Sequence, residues 1–163
     1  MFRPMKRSKQ LLSAEDTAEV MKNCTSGILA CLGDNDYAYA VPLSYIYYNK
    51  VIYFHSAKAG HKIDALLKNP KVSFAVIDED RVVGKEYTTY YRSVIAFGKA
   101  RIVEGEEWLQ AFGALVEKYS GDQPEEEKKE EVGKCSHSHI IAIDVEHITG
   151  KAATELLGKK RDA

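Results

Sequence analysis

The chain has 163 residues, 45% apolar and 29% charged, the composition of one soluble globular domain able to bury a core without disulfide or metal staples. Lys plus Arg number 23 against 24 Asp plus Glu, a formal net charge of -1, which leaves no global electrostatic footprint for nucleic acid. Cys24, Cys31 and Cys135 lack paired spacing, the basic N-terminus has no apolar run behind it, and no stretch reaches membrane-spanning length, so a reducing, cytoplasmic setting is expected with no membrane partner.

Residues 1–12 are basic and lack periodicity, and are expected to form an N-terminal arm. Ser13 is a candidate N-cap, with Glu15 and Asp16 in the first turn of a helix running to Asn23. Gly27–Leu32 is an apolar run of strand type closed by the turn cluster Gly33–Asp36. Tyr37–Tyr47 reads as the next strand, turned by Tyr48–Lys50 into Val51–His55, and the short turns predict an antiparallel meander. Pro42 falls inside the second strand, and because proline donates nothing to a ladder, the strand must be at an edge, bulged or split.

Ser56–Gly60 is a loop of small residues, after which Ile63, Leu66 and Leu67 share one helical face until Asn69-Pro70. Lys71–Asp78 alternates as a strand, 79–89 reads as a polar loop, and Tyr90–Val103 is a long strand with a bulge expected at Gly98. Trp108, Phe112, Leu115, Val116 and Tyr119 fall on one face of a helix over Glu104–Tyr119. Gly121–Lys134 is charged and reads as a solvated loop or short exposed helix; Ile140–Val145 is a final strand closed by Ile148–Gly150. The sum is an α+β domain over 13–152, a mostly antiparallel six-stranded split β-barrel with three flanking helices, followed by a tail over 153–163.

The stretch Ala40–Leu67 holds the main candidate site. A small-residue loop enters a helix whose first turn carries His61 and Lys62. Unpaired N–H groups and the helix dipole favour an anion at such a start, and Gly60 would let backbone approach it closely. Equally, Lys62 reads as a solvated first-turn lysine and Ser56 as a turn residue. Arg92 and Ser93 open the long strand, where the arginine reads either as a bidentate phosphate ligand or as an ordinary exposed strand residue. Cys135, His137 and His139 have metal-ligand chemistry but period-two spacing rather than the usual loop geometry, so no metal is assigned. His55 is an acid/base candidate or a strand-end histidine; no supporting triad spacing, no P-loop and no dinucleotide Gly-x-Gly-x-x-Gly is present.

The order AVPLSY, YFHSAKAGHKIDALLKNPKVSF, YRSVIAFGKARIV, IDVEHITGKA resembles the flavin-binding split-barrel superfamily of pyridoxamine 5'-phosphate oxidase-like proteins. Within it, the pattern is similar to the 5-nitroimidazole resistance (Nim-like) nitroreductase group. The resemblance implies an FMN-dependent oxidoreductase acting on a small nitro or quinone-type substrate, with FAD as the alternative cofactor and the flavin at a homodimer interface. Carried onto this chain, it implies that Ala40, Val41, Pro42, Leu43 and Ser44 line the flavin, with Tyr45 flanking the ring and Phe54, His55 and Ser56 following its tail. His61 and Lys62 would meet the phosphate, Ser93 would be a polar flavin contact, and His55 would be the catalytic histidine; Arg92, from the reading of the long strand above, is counted with this cofactor-binding set. Two departures stand out. The chain ends in ATELLGKKRDA, without the oxidases' C-terminal Arg segment, and His61-Lys62 replaces their Arg-Lys. The first argues against pyridoxal-phosphate synthesis; the second exchanges a permanent charge for a titratable one. A flavin- or haem-binding module without turnover is the rival implication.

Overall fold

The computed structural model describes residues 1–158. Its strands are β1 (Ser26–Leu32), β2 (Ala38–Ser44), β3 (Ile46–Tyr48), β4 (Val51–Ser56), β5 (Lys71–Val83), β6 (Thr88–Val103) and β7 (His139–Ala152), and its α-helices are α1 (Ala14–Asn23), α2 (His61–Lys68), α3 (Gly105–Ser120) and α4 (Glu125–Lys134). All seven strands join one antiparallel sheet in the order β2-β1-β5-β6-β7-β4-β3. The sheet is open, but it curls until β2 touches β4, which gives the α+β split barrel expected, with one more strand and one more helix.

The extra strand comes from a break at Tyr45. The sequence predicts a single strand over Tyr37–Tyr47, but the backbone N–H of the fully buried Tyr45 donates to the Tyr119 hydroxyl, at 2.9 Å, instead of to a neighbouring strand. There the chain leaves one edge of the sheet and continues at the other. The expected meander is therefore not formed: β2 pairs with β1, whereas β4 pairs with β3 and β7. Pro42 lies opposite Ile28 in β2, the outermost strand, one of the settings its missing N–H requires.

Residues 79–83, expected in a loop, extend β5 after a register shift at Ile77, and the Arg81 guanidinium stacks 4.7 Å from the Tyr90 ring across the ladder. A cation–aromatic cross-strand pair supplies the stabilisation that an apolar face would otherwise give. The bulge expected at Gly98 is present, and a Cβ there would lie 2.3 Å from the Asp144 carbonyl oxygen. β7 runs through Gly150 to Ala152 rather than stopping near Val145, because residues 147–152 pair with β6. Beyond it Ala153 and Leu156 are buried; the rest of the expected tail, 159–163, lies outside the described residues.

Ser13 caps α1 by accepting the Asp16 N–H at 3.0 Å. The preceding arm lies along the sheet: the Leu12 N–H donates to the Gly150 carbonyl and Phe2 stacks 4.7 Å from His147. Two cores result. One fills the barrel around Tyr45, Phe54, Phe74 and Val94, and the other lies under α3 around Tyr53, Phe112, Leu115 and Ile140. Ile63 and Leu66 of α2 reach the first, but Leu67 is solvent-exposed, because the helix is only two turns long and turns that position outward. No helix among the described residues is long and apolar enough to cross a membrane.

Candidate functional site

The site is built where β2, β4 and the start of α2 converge. Alternation along a strand divides the predicted residues between two faces. On β2, Ala40, Pro42 and Ser44 are exposed, and Val41 and Leu43 are half-buried toward the barrel. On β4, Phe54 and Ser56 are buried and His55 points outward. β6 repeats the division: Arg92 faces the interior and Ser93 the outer surface, where it pairs across the ladder with Ile77. The outward set is Ala40, Pro42, Ser44, His55 and Ser93; Val41, Leu43, Tyr45, Phe54, Ser56 and Arg92 belong to the scaffold behind it.

The loop before α2 ends at Gly60, whose φ of 126° is open to glycine but strained for other residues. A Cβ at Gly60 would meet nothing within 4 Å, so the space above the helix start is clear. His61 is held back from it. Its ring stacks on Tyr39 at 4.2 Å, and its Nε2 accepts the Asp34 N–H at 3.2 Å and lies 3.6 Å from the Asp34 carboxylate.

Lys62 is different. Its ammonium lies 5.5 Å from the Phe54 ring centroid and is half-buried. Burial pulls its pKa below the ordinary lysine value, against a smaller opposite pull from Cys31. Among the described residues no carboxylate stands within ion-pair distance of it. A half-buried cation without a carboxylate neighbour is an electrostatic vacancy for an anion.

His55 shares this field. Burial, and secondarily the Lys62 charge, push its pKa below the usual histidine value. Its ring meets the Phe112 ring edge-on at 5.8 Å, and Phe112 in turn stacks on Trp108 at 5.0 Å. The spacing of Trp108 and Phe112 marked a buried helical face, but nothing local in the sequence says that this face ends on His55.

Two other groups differ from their sequence-based readings. Arg92 is buried and donates to Asp78 at 3.1 Å, while the Cys24 thiol donates to the other Asp78 oxygen at 3.3 Å. Its charge is committed to the barrel interior, a role outside both alternatives that the sequence allowed. Cys135 and His137 lie in a 3-10 turn rather than an extended segment, and His139 begins β7. Among the described residues no three metal-ligating side chains cluster.

The sequence also gave no sign of the clamp behind Tyr45. Lys118 donates to the carbonyls of Cys24 at 2.6 Å and Tyr45 at 3.2 Å, and the Tyr119 hydroxyl reaches the carbonyls of Thr25 and Tyr45. Their partners are backbone atoms, which leave no residue-type signature. A cavity of about 830 Å³ between α1, the β3–β4 turn and β7, lined by Leu12, Tyr47, Lys50 and His147, contains none of the predicted site residues.

Comparison with known proteins gives a family match and several shared folds. The family model described as pyridoxamine 5'-phosphate oxidase matches residues 13–152. A putative 5-nitroimidazole antibiotic resistance protein from Bacteroides thetaiotaomicron is 21% identical, with a TM-score of 0.74 over 87% of this chain and 86% of that one. A conserved hypothetical protein from Mycobacterium tuberculosis superposes with a TM-score of 0.79 at 20% identity over 98% of both chains. An FAD-binding protein from Mesorhizobium loti is 23% identical, with a TM-score of 0.61 over 88% of this chain and 97% of that one. No curated protein matches.

Proposed function

Because this chain belongs to the pyridoxamine 5'-phosphate oxidase family, we propose that it is a flavin-dependent oxidoreductase that holds FMN on the outer face of β2, β4 and the α2 start. The observation that carries this reading is Lys62, a half-buried ammonium with no carboxylate within ion-pair distance among the described residues, set beside the open space at Gly60. The donor set fits a flavin phosphate: one cation, the free N–H groups of the first turn of α2, and no carboxylate competing for that cation.

The bound flavin would supply electron-pair transfer to a small nitro or quinone-type acceptor. The protein supplies position and electrostatics. Ala40, Pro42 and Ser44 present the exposed edge of β2 to the ring, with Val41, Leu43, Tyr45, Phe54 and Ser56 packing behind. Lys62 holds the phosphate, and His61, braced by Tyr39 and Asp34, fixes the helix start. Burial, and secondarily the Lys62 charge, favour the neutral imidazole of His55, a form able to donate or accept a hydrogen bond at the reacting edge.

Ile77, Ile95 and Phe97 are 62%, 45% and 38% exposed on the outer face that also carries Ser93. This apolar face supports a homodimer that encloses the flavin. The resistance-protein and FAD-binding folds support the nitroreductase and FAD variants of the reading, respectively.

The deciding experiment is purification of the native protein, its absorption spectrum, and mass spectrometry of the released ligand. Bound FMN reduced by NAD(P)H and reoxidised by a nitroimidazole or quinone supports the reading. Bound flavin without turnover reduces it to a flavin-holding module. Colourless protein that rejects added FMN and FAD overturns it.

A further inference from the structure

A second cavity, of about 350 Å³, has Lys58, Val103, Glu104, Trp108, Leu109, Ser138 and His139 around it. Three elements meet there: the loop before α2, the start of α3 and the start of β7. Its volume is within the range of small-molecule pockets, about 300–1,000 Å³, and suits one or two aromatic rings rather than a flavin.

The wall is fixed from behind. The Trp108 indole N–H donates to the Ser138 carbonyl at 3.1 Å, and one face of the indole is stacked on Phe112 at an interplanar angle of 10°. The indole is thus held in one orientation and remains half-buried at the cavity, while Leu109 is 57% exposed at its mouth. A rigid aromatic wall beside exposed aliphatic surface favours a flat apolar body.

The polar groups select what that body carries. Lys58, exposed in the loop, provides a cation, and His139 provides a second hydrogen-bonding group. Glu104 adds a carboxylate on the same rim. The two acids that follow in the first turn of α3 are engaged elsewhere: Glu106 accepts from the Gln110 amide at 3.1 Å, and Glu107 is held by Arg101 at 2.7 and 2.8 Å and by the Tyr53 hydroxyl at 2.9 Å. One cation and one anion on the rim of a cavity with an indole wall match a ligand with a carboxylate at one end and an N–H or O–H donor at the other.

We infer that this cavity is a binding site for small planar aromatic carboxylates bearing a ring amino or hydroxyl group. The ring stands against Trp108, the carboxylate meets Lys58 and His139, and the donor meets Glu104. The ring ladder from Trp108 to Phe112 to His55 would link the ligand indirectly to the group assigned to the flavin edge. Any catalytic consequence rests on the flavin reading, but the binding itself does not.

Trp108 is the only tryptophan of the chain, so its indole N–H gives a single nuclear magnetic resonance signal that reports on this wall. The probe is 4-aminobenzoate, titrated into the full-length protein with and without added FMN. The expected result is a saturable shift of the indole signal, weaker with benzoate and absent with aniline. Lys58→Ala, a change in an exposed loop that leaves the fold intact, should weaken binding about tenfold, the equivalent of one charge-assisted contact of about 1.4 kcal/mol. An unmoved indole signal, equal shifts from aniline and 4-aminobenzoate, or an unchanged affinity in Lys58→Ala overturns the inference. Flavin binding, read separately by absorbance, stands or falls independently.

Discussion

Replacing Arg92 by Met should damage the fold rather than the cofactor site. The Arg92 side chain is 8% exposed and its Asp78 partner 1% exposed, with 3.1 Å between them. Removing the guanidinium leaves the Asp78 carboxylate in the barrel with the Cys24 thiol still donating to it. Breaking a buried pair from one side costs about 3–5 kcal/mol, a large share of the roughly 5–15 kcal/mol that holds a domain of this kind. With a urea dependence of about 2 kcal/mol per molar, the unfolding midpoint should fall by about 2 M. The double variant Asp78→Leu, Arg92→Met removes both charges and should recover most of that loss, because an apolar pair of similar volume has no desolvation penalty. Urea unfolding by circular dichroism measures all three proteins, and equilibrium dialysis measures their FMN affinity. A loss under about 1 kcal/mol in Arg92→Met, or a double variant as unstable as the single, refutes the argument. A stable Arg92→Met protein with weakened FMN binding would return Arg92 to the phosphate.

His55 should titrate below the ordinary histidine value, and Lys62→Met should move its midpoint upward, since the Lys62 cation is one of the two causes of the shift. Histidine ring signals followed by nuclear magnetic resonance across pH 4–9 test both. The sign for stability follows: a depressed histidine pKa means the unfolded chain binds the proton more readily, so the His55 contribution is complete above the unfolded value of about 6.5 and is lost as pH falls from there through the lower folded value. Lys62→Met should also weaken FMN binding at least about tenfold while leaving riboflavin, which lacks the phosphate, unaffected; fluorescence quenching of the two flavins separates these outcomes. Tyr119→Phe leaves the Tyr45 N–H, at a fully buried residue, without its acceptor. The expected loss is about 1–3 kcal/mol, read from thermal unfolding.

The fold was legible where local rules agree. The Ser13 cap, the alternation of Lys71–Asp78 and the Gly98 bulge each follow from a backbone requirement that residue type reveals. It was illegible where a distant partner decides. Tyr45 ends a ladder because the hydroxyl of Tyr119, 74 residues away, accepts its N–H; residues 79–83 are strand because their partners across the ladder accept a polar arm. The candidate site divides in the same way. Motif order found the α2 start, but the two neighbours Arg92 and Ser93 could not both serve one ligand directly, since consecutive strand residues face opposite sides. The commitment of His61 to Tyr39 and Asp34 was invisible because it depends on how the β1–β2 turn folds back onto α2.

The placement of β4 has a consequence for how the chain reaches this state. The β1–β2 and β5–β6 pairs join segments close in sequence and can zip from their turns. β4 has only the three-residue β3 on one side, and on the other it waits for β7, with Val51 opposite Asp144. Even the nearest pair, Ser56 with His139, is 139 − 56 = 83 residues apart, the kind of non-local pairing that slows folding. During synthesis, β4, and His55 with it, stays unpaired on its β7 side until the last strand leaves the ribosome. Contact separation predicts that the half-barrel of β1, β2, β5 and β6 forms first and that the face assigned to the flavin is completed last, an order that pulsed hydrogen exchange during refolding would read strand by strand.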